Sequence, residues 1–137
     1  MTHTYPFPEP VIIDAEVFTE LPAALRRTGQ PSYWAEKNRR GAPADSFIEG
    51  PSFDRAGNLY FVDIPFGRVF RATPSGDITQ VAEYDGQPNG LKIHQDGRIF
   101  LADYQNGIME LEPDTGTVTK ALGDADTESF KGCNDLH

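Results

Sequence analysis

GPSFDRAGNLYFVDIPFGRVFRATPSGDITQVAEY, residues 50–84, is followed by GLKIHQDGRIFLADYQNGIMELEPDTGTVTKAL, residues 90–122, and the second stretch repeats the first. An offset of 40 superimposes Gly50 on Gly90, Gly57 on Gly97, Gly67 on Gly107 and Gly76 on Gly116. The residues between agree in kind: Phe53 with Ile93, Leu59 with Ile99, Tyr60 with Phe100, Phe61 with Leu101, Asp63 with Asp103, Ile78 with Val118 and Thr79 with Thr119. A strand-rich unit recurring about every 40 residues is the spacing of a β-propeller blade.

Within the first unit, GPSFD, LYFVDI, RVFRATP and ITQVAEY read as four strands, because they concentrate aromatic and β-branched residues between Gly, Pro, Asn and Asp connections. The second unit reads the same way, with Asn106-Gly107 as its strongest hairpin signal. The expected fold is therefore all-β, a propeller of which this chain holds two blades, about 49–85 and 89–122, within an incomplete propeller domain 45–137. A third blade is expected to begin at Asn134, after an insertion in the loop at 123–133. Residues 1–44 form an N-terminal segment. Within it, 11–22 alternate enough to be an outer strand that closes the ring, and Tyr33 to Arg39 read as a short helix with Trp34 as its packing anchor. Blades bury their faces only against neighbours and propellers use roughly 4 to 8 of them, so the register predicts a truncated chain, poorly soluble and inactive alone.

Composition bounds the partners. Of 137 residues, 21 are acidic and 12 are Lys or Arg, a formal net charge of -9, which argues against a nucleic-acid backbone as ligand. No apolar run reaches membrane-spanning length and the opening MTHTYPFPEP lacks the pattern of a secretory leader. The single Cys133 can form no internal disulfide, so a cytoplasmic location is the default expectation. No protein partner can be inferred.

The register also identifies equivalent positions. Glu49, Asn89 and Asn134 each stand immediately before the innermost strand of their repeat, and innermost strands line a propeller's channel. One carboxylate and two amide oxygens converging there would suit a hard divalent cation such as calcium, magnesium or manganese. Asn89, in QPNG, is equally a plain turn residue; Glu49 sits where no turn preference asks for a carboxylate. The loops Asp63 to Phe66 and Asp103 to Asn106 return to the same end. Asp63 and Asp103 stand behind the site, and their recurrence has the pattern of a structural hydrogen bond. His94 and His137 lack paired zinc spacing, and no base is recognisably paired with Cys133.

FIEGPSFDRAGNLYFVDIPFGRVFRATPSG, PNGLKIHQDGRIFLADYQNG and KGCNDLH together resemble the gluconolactonase and regucalcin-like family, also called senescence marker proteins. The likeness covers about residues 45–137 and is most specific in EGPSF and NDLH. It implies a six-bladed propeller and a metal-dependent lactone hydrolase, with Glu49 as the first-blade metal ligand and Asn134 as a contact to a small-molecule lactone. Asn89 is carried as a substrate-binding candidate. The implied cofactor is a divalent ion, calcium first, with magnesium, manganese or zinc as alternatives. The family's remaining ligands, an Asn and an Asp, and the general base, which is that Asp, fall in blades beyond His137, so no catalytic residue is assigned here. A family arginine falls at Gly132, where only the neighbouring Lys131 could substitute. The alternative is a non-catalytic propeller serving as a ligand- or protein-binding platform, with a strictosidine synthase-like propeller a distant third.

Overall fold

The computed structural model describes residues 10–137; the first nine residues of the N-terminal segment lie outside the described residues. Strands β1 (Ile48–Phe53), β2 (Leu59–Asp63), β3 (Arg68–Ala72) and β4 (Ile78–Glu83) form one antiparallel sheet in sequence order. Strands β5 (Pro88–Ile93), β6 (Ile99–Asp103), β7 (Gly107–Glu112) and β8 (Thr117–Leu122) form a second of the same topology. The turns are built by the residues that turn chemistry asks for. Asp54 Oδ1, for example, accepts from Ala56 N at 2.9 Å and Asn58 N at 2.8 Å, closing the turn between β1 and β2.

The two sheets pack face to face. Tyr60, Val62, Val69 and Ala82 of the first meet Leu91, Ile99, Leu101, Met109 and Leu111 of the second in one buried cluster. Each fully buried aliphatic or aromatic side chain there contributes about 1.5–3 kcal/mol. At the inner edge the strands come closer than any side chain would permit. A Cβ on Gly50, whose φ is +58, would lie 2.6 Å from the Asn89 carbonyl oxygen and 2.7 Å from Leu91 N. One repeat later, a Cβ on Gly90 would lie 2.8 Å from the Asn134 carbonyl oxygen. Glycine is thus required twice by the same stacking step, and residues 134–135 stand against β5 as residues 89–91 stand against β1.

Three features of the structure do not follow the repeat spacing. First, β3 is out of the glycine register: Asp63 pairs with Arg68 across a 3-10 turn (Ile64–Phe66), whereas Asp103 pairs with Gly107 after one residue fewer. Phe70, not Val69, is therefore the structural counterpart of Met109, because a slip of one residue exchanges the faces of a strand. Second, residues 11–22 form no strand with any of the described residues; Thr19 Oγ1 donates to the Gly76 carbonyl at 2.8 Å and Leu21 is buried, so the segment lies along the first sheet, and the last blade it was expected to pair with is not among the described residues. Third, no strand starts at Asn134, while the expected loop at 123–133 holds a small hairpin of β9 (Asp124–Ala125) and β10 (Glu128–Ser129).

The helix α1 spans Tyr33–Arg39, as its sequence suggests. Ser32 Oγ caps it by accepting from Ala35 N at 3.1 Å, and Arg40 ends it in the left-handed conformation. Trp34 is half-buried against Phe47, with ring centroids 5.0 Å apart. Among the described residues no helix is long and apolar enough to cross a membrane.

Candidate functional site

Glu49 and Asn89 do not precede the inner strands, as their spacing suggests, but lie within them at irregularities. The pairing of β1 with β2 shifts between Glu49 and Ser52, and that of β5 with β6 between Pro88 and Gly90. A bulge turns the side chain it carries away from the regular pleat and is often found beside functional sites. Asn134 follows from the irregular segment after β10. All three line one cavity of about 250 Å³ between the inner edges of the sheets, together with Gly50, Pro51, Gly90, Leu91, Lys92 and Asp135. Asp135 and Lys92 were not singled out by the sequence. Asp135 could have been found, because it follows Asn134 directly in NDLH, but nothing in the repeat has a carboxylate at that place.

Behind this cavity the two recurrent aspartates hold the backbone. Asp63 is completely buried; Oδ1 accepts from Phe47 N at 2.7 Å and Ser46 Oγ at 3.0 Å, and Oδ2 takes Arg68 Nε at 2.9 Å. Asp103 is completely buried too; Oδ1 accepts from Gln105 N and Asn106 N, each at 2.8 Å. Its Oδ2 accepts from Gln87 N at 2.8 Å and Tyr84 Oη at 2.7 Å. Phe47 and Gln87 precede Glu49 and Asn89 by the same two positions, so each aspartate anchors the inner strand just before its candidate residue. Burial, and then the neighbouring Asp103 carboxylate, push the Tyr84 phenol well above its ordinary range. The charges of the two anchors are compensated differently: Asp63 by the buried Arg68 guanidinium, Asp103 by converging neutral donors.

The cavity's donors are oxygens. Glu49, exposed, takes part in none of the ion pairs among the described residues. Asn89 Nδ2 donates to the Gln87 carbonyl at 3.4 Å, which leaves its Oδ1 as an acceptor. With Asn134 and Asp135 this set fits a hard cation, and among the described residues the lining holds neither His nor Cys, which disfavours zinc. Among the described residues no group of three or more His, Cys, Asp or Glu side chains converges, so tight chelation is not built into these residues alone. The remaining sequence candidates lie elsewhere: His94 is exposed at the opposite end of its strand, paired with Asp96 Oδ1 at 2.8 Å, and Cys133 is a half-buried free thiol. Lys131 lines a different cavity, with Tyr104 and Gln87.

Residues 47–137 match the family model of the SMP-30/gluconolactonase/LRE-like region. The chain is 29% identical over 126 residues to lactonase drp35 of Staphylococcus aureus (strain MRSA252), covering 87% of this chain and 35% of that protein. It is 32% identical over 108 residues to lactonase drp35 of Staphylococcus saprophyticus, covering 74% of this chain and 32% of that protein. The chain thus spans about a third of the length of these curated relatives.

Proposed function

Because the chain belongs to the SMP-30/gluconolactonase/LRE-like family, we propose that it carries part of the active site of a divalent-metal-dependent hydrolase of sugar or related lactones. The observation that carries this reading is the convergence of Glu49, Asn89 and Asn134, equivalent positions of successive repeats, on one cavity. Glu49, with the amide oxygens beside it, would hold the cation, calcium before magnesium or manganese. When bound, the cation supplies Lewis-acid polarisation of the lactone carbonyl and a more acidic water. Asn134 would orient the lactone by donating from its amide nitrogen, while Asp63 and Asp103 keep the inner strands at the spacing this requires.

The rest of the site is proposed to come from further sheets that complete a six-bladed ring. The outer face of the first sheet supports this: among the described residues it is covered only by the N-terminal segment, Leu21 and Leu25 packing on Phe61, Phe70 and Ala72. Leu59 and Phe61, with Ile48, Pro51 and Ile78, line an open apolar cavity of about 430 Å³. Their counterparts Ile99 and Leu101 in the second sheet are buried against a whole neighbouring sheet, whereas Phe61 is buried against single side chains of an irregular segment. The general base that accepts the water proton belongs, on this reading, to such a further sheet, so the 137 residues alone would not hydrolyse lactones. The test is hydrolysis of aldonolactones by the complete assembly with and without divalent ions. Ion-dependent turnover that Glu49→Gln abolishes supports the proposal. Turnover indifferent to chelation or to that substitution refutes it, and ion and lactone binding without turnover would favour a binding platform.

A further inference from the structure

The site extends outward beneath α1. A cavity of about 470 Å³ shares Asn89 and Asn134 with the one at Glu49, and its far wall is Tyr33, Trp34, Lys37 and Asn38. These positions fall on one side of the helix, because residues three and four apart are neighbours on its surface. Tyr104 completes the wall opposite the asparagines. Trp34 is held by Phe47, the residue whose amide Asp63 anchors, so the helix wall and the inner strand are fixed to each other.

The charge of this cavity runs against that of the chain. Acidic residues outnumber Lys and Arg by 21 to 12, yet among the described residues no carboxylate lines it and Lys37 is its one cation. Lys37 enters none of the ion pairs among the described residues; its Nζ lies 5.2 Å from the centroid of the Tyr33 ring. A cation facing a concave, partly apolar wall concentrates positive potential there.

We infer that this outer cavity selects lactones bearing an anionic substituent, a carboxylate on the sugar acid, with Lys37 as the specificity-determining residue. The sugar ring lies along Trp34 and Tyr104, the carboxylate meets Lys37, and the lactone end points to Asn89 and Asn134. This assignment rests on the lactonase reading for the identity of the ligand, but its test needs no turnover.

Trp34 is the only tryptophan in the chain, so its emission reports occupancy of this cavity directly. The chain is titrated at low salt with the monolactone of glucaric acid, which keeps a free carboxylate, and with the neutral lactone of galactonic acid. The expected result is binding of the glucaric lactone roughly two- to fivefold tighter, the scale of one exposed charge pair. That preference disappears in Lys37→Ala, reverses in Lys37→Glu and shrinks at high salt, with circular dichroism showing the fold retained. Equal affinities, a preference that survives Lys37→Ala, or no change in Trp34 emission with either lactone would each overturn it. Lys37-dependent selectivity without hydrolysis by the complete assembly would keep this inference while sinking the proposed chemistry.

Discussion

Replacing Asp103 by asparagine tests the anchoring of the inner strand with almost no change of shape. The wild-type carboxylate accepts from three backbone amides, Gln105, Asn106 and Gln87, and from the Tyr84 hydroxyl. Asparagine offers one acceptor oxygen and, in place of the second, an NH2 group that only donates. With the oxygen left toward Gln105 and Asn106, its NH2 meets the Gln87 N–H, donor against donor; flipped, it orphans two amides in place of one. Tyr84 can rotate its hydroxyl to accept and so loses little. The minimum loss is therefore one charge-assisted bond, about 1.5–3 kcal/mol, plus the desolvation of a buried amide, about 1–3 kcal/mol. The expected destabilisation is about 3–5 kcal/mol, out of the roughly 5–15 kcal/mol that holds a domain of this kind together. Urea unfolding followed by both Trp34 emission and circular dichroism measures it, coincident curves licensing the two-state treatment. A loss below about 1 kcal/mol would refute the claim that these bonds hold the strand carrying Asn89.

Tyr84 makes stability sensitive to alkali: its folded pKa lies above the ordinary 10.0, so above about pH 10 the unfolded chain binds fewer protons and stability falls as pH rises. Urea midpoints across that range should decline with about one proton's slope in the wild type and more gently in Tyr84→Phe; parallel curves would count against the buried phenol. Gly50→Ala drives a Cβ into the backbone of Asn89 and Leu91 at a positive φ, and should cost at least about 2–3 kcal/mol in the same titration. An alanine there within about 0.5 kcal/mol of wild type would mean the sheets do not approach so closely. Leu101→Ala empties a completely buried position between the sheets and should cost about 2–5 kcal/mol; a smaller loss would mean that the facing sheets collapse onto the space.

The four glycines in register, the strand and turn composition between them and the recurrence of aspartate at matching strand ends were enough to read an all-β repeat and to align Glu49, Asn89 and Asn134. Those features are local. A turn needs a residue of particular backbone freedom, a strand needs a pleat-compatible side chain, and both needs are written where they act. The role of Asp63 and Asp103 was legible for the same reason, since each acts within a few residues of a turn and on the strand paired beside it. Tertiary structure alone decided the rest. The slip in β3 depends on how many residues the turn after Asp63 consumes, and glycine spacing conserves the total while hiding where the extra residue sits. Whether residues 11–22 ladder depends on a partner strand that no local pattern supplies. The wall of Tyr33, Trp34 and Lys37 beside Asn134 joins positions about a hundred residues apart in sequence, a proximity produced by two sheets packing on each other and carried by no motif.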